Sequence, residues 1–211
     1  QRAQEAARAF ITGGTAANTV RSYQSALTYW SAWLQLRYGL ALGDKAMPPA
    51  VVIQFIVDHL ARPLEDGSWT HLLPAAIDAA LVSARVKAKL GTLAHSTISH
   101  RLTVLSKWHR LNGWESPVEM PAVKTLLRDA RKAQVRQGIT VRKKTALLAE
   151  PLQAMLATCT DGVRGIRDRA LLLLTWSGGG RRRSEVVDLQ IGDVRPLDAE
   201  TWLYALGNTK T

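Results

Sequence analysis

The sequence predicts a mainly α protein, and three observations carry the prediction. Apolar residues recur at steps of three and four through most of the chain, as the buried face of a helix requires. Strand-like alternation is confined to the closing stretch TWLYALGNTKT. A basic segment without period, QVRQGITVRKKTA, parts a helical first half from a mixed second half. The expected organisation is a helical domain over residues 1–137, a basic linker over 138–146 and a mixed α+β domain over 147–211.

Each element follows from local chemistry. In TAANTVRSYQSALTYWSAWLQLRYG, Val20, Tyr23, Leu27, Trp30 and Leu34 form one stripe, and Gly39 can end the helix. A second helix follows MPP and runs through Val51, Val52, Phe55, Ile56 and Leu60 until Pro63 stops it. LEDGSWTHLLP reads as a loop with an Asp-Gly turn, and a third helix covers 74–90, closed by Gly91. Ser96 is a suitable N-cap for a helix that turns Ile98, Leu102, Leu105 and Trp108 inward and Arg101, Lys107, His109 and Arg110 outward. From Pro121 another helix keeps Val123, Leu126, Leu127 and Ala130 inside and Lys124, Arg128, Arg131 and Lys132 outside. Beyond the linker, AEPLQAMLATC and RGIRDRALLLLTWS read as helices and SEVVDL as a short one. Cys159, the single cysteine, reads as a buried small hydrophobe.

The net charge of +11 is concentrated. Residues 85–144 hold fourteen Lys and Arg against Glu115, Glu119 and Asp129, whereas acids and bases balance on either side. One sixty-residue segment therefore carries the whole excess, and a polyanion is its natural partner. Nucleic acid fits better than a membrane, because the cations are interleaved with a buried helical pattern and do not border an exposed apolar face. No apolar stretch reaches the roughly 18 residues that would span a bilayer.

The run SGGGRRRSEVVDL, residues 177–189, joins a Gly-rich turn to a helix start. Backbone amides there can bind anions, and guanidinium groups can grip a phosphate through paired hydrogen bonds. It lacks the Gly-Lys-Ser/Thr of a Walker loop, and a helix rather than a strand precedes it, which disfavours nucleotide binding.

The longer run RDRALLLLTWSGGGRRRSEVVDLQIGDV resembles the start of the catalytic domain of the tyrosine recombinases, the phage-integrase-like family. Gly180, Arg182, Ser184, Glu185, Leu189, Asp193 and Val194 occupy that family's places. The resemblance implies that Arg182 is the first catalytic arginine, holding the scissile phosphate, and that Glu185 helps to fix the site. YALGNTKT is similar to the family's lysine hairpin, which makes Lys210 the general acid for the departing 5′ oxygen. Upstream, TAANTVRSYQSALTYWSAWL and HSTISHRLTVLSKWHRLNGWESP resemble the core-binding domain, a SAM-like helical bundle. The expected DNA contacts are Arg101, Lys107, Arg110, Arg128, Arg131 and Lys132 on two helices, Arg142, Lys143 and Lys144 in the linker, and Arg181 and Arg183 beside Arg182.

What the resemblance implies is site-specific DNA recombination or integration through a 3′-phosphotyrosyl intermediate. Storing the phosphodiester energy covalently requires no cofactor and no metal. The partner is a double-stranded DNA site in the cytoplasm, of bacterial, phage or mobile-element origin. The complete protein acts as a homo-tetramer on paired sites, and this chain could be monomeric off DNA. The family's later His-x-x-Arg and nucleophilic Tyr have no counterpart after Lys210, so the chain reads as a fragment that binds without cleaving. His59 to Arg62 matches His-x-x-Arg only by spacing, and Tyr23, Tyr29, Tyr38 and Tyr204 read as packing or surface residues. Two other readings stand beside this one. A non-catalytic DNA-binding regulator or architectural protein would read the major groove with STISHRLTVLSKWHR. A helical protein–protein scaffold would explain the apolar stripes but not the placement of the charge.

Overall fold

The computed structural model describes residues 17–43, 45–64, 68–136, 138 and 145–205, without the side chains of residues 63, 183 and 184. The chain divides into two compact units, residues 1–140 and 141–211, and the division falls inside the 138–146 stretch. The described residues are mainly helical, with two small antiparallel sheets.

The first unit contains helices α1 (Ala17–Tyr38), α2 (Pro49–His59), α3 (Ala75–Ser83), α4 (His95–Leu111) and α5 (Pro121–Arg136). Helix α1 packs on α3 and α4, and α2 on α5. The core is aromatic where α1 meets α2. Trp30 stacks on Phe55 with centroids 3.8 Å apart, while Tyr29 and Trp33 meet the same ring edge-on. Ile98, Leu102 and Leu105 of α4 and Val123 of α5 complete it. Each such side chain contributes roughly 1.5–3 kcal/mol on leaving water.

The buried face of α1 is Ala26, Tyr29, Trp30, Trp33 and Leu34, a rotation from the expected stripe that leaves Val20, Tyr23 and Leu27 half-buried. The reason is tertiary: turning Tyr29 and Trp33 inward lets both rings close around Phe55 and His59.

Helix ends also depart from expectation. Helix α2 begins at Pro49, where a missing N–H costs nothing, but stops at His59, four residues before Pro63. Leu60 is extended and forms a parallel bridge with Leu93, and Arg62–Pro63 (β1) pairs antiparallel with Trp69–Thr70 (β2). The Asp-Gly turn between those strands lies outside the described residues. Helix α3 ends at Ser83, well short of residue 90, because Arg85 adopts a left-handed φ of 58°. Helix α4 takes Ala94, not Ser96, as its N-cap. The bridge at Leu93 holds the chain extended up to that point, so tertiary pairing sets the start and no side-chain cap forms.

Asp58 and His59, both buried, are partnered. Asp58 accepts hydrogen bonds from Trp33 Nε1 (3.0 Å) and Gln54 Nε2 (2.7 Å), with Arg37 Nε 3.3 Å away. Tyr29 donates its hydroxyl to His59 Nε2 at 2.7 Å, and His59 Nδ1 donates to the Phe55 carbonyl. The His59–Arg62 spacing is thus a core histidine followed by a strand residue. Among the described residues, no helix is long and apolar enough to cross a membrane.

The second unit contains α6 (Ala149–Ala157), α7 (Val163–Ser177) and α8 (Arg183–Val187), then a hairpin of β3 (Val194–Pro196) and β4 (Trp202–Tyr204). Leu152 and Val186 are its buried apolar residues among those described. Cys159 is half-buried rather than buried, since it follows the end of α6 where the chain turns towards solvent.

Candidate nucleic-acid interface

The expected phosphate grip lies at the junction of α7 and α8. Helix α7 unwinds through three glycines, of which Gly179 and Gly180 have φ of 73° and 78°, values that a side chain would strain. The amides of this turn point back into the protein. Gly178 donates to Leu174 O, Gly179 to Trp176 O, and Gly180 and Arg181 both to Thr175 O, at 3.0–3.3 Å. The expectation that these amides cradle an anion is therefore overturned, because helix termination consumes them. What the turn offers a phosphate is its guanidinium groups.

Arg182 is the N-cap of α8. Its Nη1 lies 3.0 Å from Glu185 Oε1, and its backbone N–H donates to Glu185 Oε2 at 3.2 Å. The spacing i, i+3 on the first helical turn makes both contacts possible at once. Arg182 remains 59% exposed on its side chain while Glu185 is only 8% exposed, so the acid is the fixed partner and the guanidinium the accessible one. The Arg182 N–H and the charges of Arg182 and Arg181 hold the Glu185 carboxyl below the usual glutamate range, against the upward push of desolvation. Arg181 is exposed nearby, its Cγ lying over Gly178.

Gly178 has a packing reason that neither flexibility nor approach to DNA explains. A Cβ at this position would fall 2.0 Å from Tyr204 Oη and 2.7 Å from Arg181 Cγ. The hydroxyl of Tyr204 in β4 thus closes directly over the glycine turn at Gly178. Tyr204 has a packing role, as its position suggested. Lys210 itself, Arg142, Lys143 and Lys144, and the side chain of Arg183 lie outside the described residues.

In the first unit the expected cations separate into classes. Arg101 is withdrawn: its guanidinium carbon sits 3.3 Å from the Tyr29 ring centroid, and its Nη1 is buried without a hydrogen-bond partner among the described residues. His109, also expected outside, is fully buried, accepting from the Met47 N–H at Nε2 and donating from Nδ1 to Leu105 O. Both corrections have one cause. Arg101 stands three residues after Ile98 and four before Leu105, and His109 four after Leu105, so both lie on the stripe that faces α1 and the segment before α2.

Lys107 is half-buried with Nζ 4.8 Å from the Tyr23 ring. Arg110 donates to Ser106 Oγ and approaches Glu119 at 3.9 Å, yet stays 69% exposed. On α5, Arg128 pairs with Asp129 at 3.2 Å, Lys132 approaches it at 3.9 Å, and Lys124 pairs with Glu119 at 2.6 Å. Arg131 and Arg136 are exposed on the same helix. Such exposed pairs are worth only about 0–1 kcal/mol, so phosphates can compete for these cations. Two exposed cations escaped the sequence reading, Arg85 and Lys89, because the stretch 74–90 read as unbroken helix. Their membership of the 85–144 basic segment was the available signal. No protein-family model matches this chain, and no curated protein matches it.

Proposed function

We propose that the chain binds double-stranded DNA through the first unit and contributes the opening part of a tyrosine-recombinase phosphate site through the second. The observation that carries this reading is the Arg182–Glu185 pair, an accessible guanidinium braced by an enclosed carboxylate at a glycine turn. In that reading Arg182 neutralises charge on the pentacoordinate phosphate, and Glu185 fixes its direction. Lys210 would protonate the leaving 5′ oxygen. The helical first unit corresponds to a SAM-like core-binding domain, with Lys107, Arg110, Arg128, Arg131 and Lys132 as its phosphate contacts. The complete recombinase is a cytoplasmic homo-tetramer on paired sites and needs neither cofactor nor metal for the exchange.

A nicked suicide duplex incubated with a chain extended by its own downstream sequence should trap a covalent protein–DNA adduct. Absence of the adduct, or of a downstream His-x-x-Arg and Tyr, would sink the enzymatic reading. The exposed cations of α4 and α5 would then favour a DNA-binding regulator, since they do not depend on Arg182.

A further inference from the structure

Asp78 of α3 and Lys87 are both buried, each 4% exposed, and form a direct ion pair. Lys87 Nζ also donates to the Gly91 carbonyl, while the Gly91 N–H donates to Asp78 Oδ2 at 2.7 Å. His71 Nε2 stands 3.8 Å from the same carboxylate oxygen. A lysine and an aspartate taken out of water rarely repay their desolvation, so their geometry asks for another reason. Here the bonds of the pair close one loop, residues 84–91, back onto the first turn of α3. The loop is tied at its middle by Lys87 and at its end by both backbone groups of Gly91.

The loop is strained where it turns. Arg85 has a φ of 58°, a left-handed conformation that a long side chain adopts only when its surroundings impose it. The Val86 and Lys87 amides both return to Leu81 O at 3.1 Å, which holds the turn in that shape. Glycine would fit the position without strain, yet the chain carries a cation there. Arg85 and Lys89 are both exposed, and among the described residues neither has an ion-pair partner.

We infer that the loop 84–91 is a preorganised phosphate-contacting element, in which the buried Asp78–Lys87–Gly91 clamp positions Arg85 and Lys89 against the backbone of duplex DNA. The inference rests on the DNA-binding reading of the first unit and extends its footprint beyond α4 and α5. Strain stored at a functional position and offset by a rigid surround is the expected economy of such a loop.

The test measures binding of this chain to a random-sequence duplex of about 30 base pairs across a salt series. Each lost phosphate contact lowers the slope of log affinity against log salt by about 0.9, so Arg85→Ala with Lys89→Ala should lower it by about 1.8. Affinity near 0.1 M salt should fall roughly tenfold or more. Arg85→Gly separates function from structure. It relieves the left-handed strain and should melt at or above the wild-type temperature, yet lose about 0.9 of slope. If the wild type binds with a steep salt slope and both variants keep that slope and affinity, the loop is no contact and the inference falls while DNA binding stands. If the wild type does not bind the duplex at all, both fall together.

Discussion

Arg182 and Glu185 hold each other twice, once between side chains at 3.0 Å and once from the Arg182 backbone N–H at 3.2 Å. The second contact makes Glu185 part of the helix start, so that the acid cannot follow the guanidinium away from the turn. Arg182→Ala in a cleavage-competent extended chain should therefore slow covalent adduct formation by about 10²–10³, the usual cost of one transition-state donor. Glu185→Gln should give a smaller loss, because it keeps the shape and one acceptor but removes the charge. Duplex affinity at the first unit should be nearly unchanged in both. An Arg182→Ala chain that forms adduct at the wild-type rate would show that the guanidinium does not touch the reacting phosphate.

Gly178 and Tyr204 are in contact so close that no side chain fits between them. Gly178→Ala should destabilise the second unit by about 1–3 kcal/mol through overpacking. Removing the hydroxyl with Tyr204→Phe should return part of that loss in the double variant. Urea unfolding of the four chains, combined as a double-mutant cycle, reads the coupling directly. Additive losses would mean that the turn and β4 do not bear on each other.

His59 is buried between Tyr29 and the Phe55 carbonyl, and burial pushes its pKa down to about 3. An unfolded histidine binds its proton near pH 6.5, so the unfolded state takes up the proton first as the solution is acidified. The contribution of His59 to stability is complete above about pH 6.5 and shrinks as pH falls towards 3. Each proton involved gives a slope of up to about 1.4 kcal/mol per pH unit. Melting temperatures recorded from pH 7 to pH 4 should fall in the wild type and less steeply in His59→Gln. Parallel curves would assign the acid sensitivity elsewhere, for instance to buried His109, which is shifted in the same direction by desolvation.

Asp78 and Lys87 allow a stability test of their own. Burial alone would raise the Asp78 pKa, but the Gly91 N–H and Lys87 overcome it and hold the carboxyl below the usual aspartate range. The stabilisation is therefore present above the ordinary aspartate pKa and lost as pH falls through the lower folded value. Asp78→Ala should cost about 3–5 kcal/mol at neutral pH, because it leaves Lys87 charged and buried without its carboxylate. Combining Asp78→Ala with Lys87→Met should recover much of that loss, as both charges leave together. Denaturant midpoints of the three variants decide it; equal losses in Asp78→Ala and the double variant would mean that shape rather than charge matters here.

Much of the architecture was legible along the chain because its causes are local. Pro49 starts α2, Gly39 ends α1, and the triad Ile98, Leu102 and Leu105 faces inward as its spacing requires. Arg182 and Glu185 were singled out by the resemblance, and three residues on one helical turn bring their side chains together. Misreadings occur where distant segments decide. The parallel bridge between Leu60 and Leu93 ends one helix and starts another, and no residue near either end announces it. Arg101 and His109 carry polar labels on an apolar stripe, and position prevailed over composition because Tyr29 and the Met47 N–H supply each with something to meet.

By itself the sequence determined the helical character, the separation of a basic first part from a mixed second part, and the three-residue spacing of Arg182 and Glu185. Periodicity, charge placement and a short motif are properties of the chain read in order, so no fold is needed to see them. Only the tertiary structure decided which cations are exposed, which amides are already bonded, and why Gly178 must be glycine. Those outcomes depend on what a group meets across the fold. A guanidinium pressed on Tyr29 and one beside Glu185 have the same letter in the sequence, but the second keeps more than half of its side-chain surface exposed, 59%.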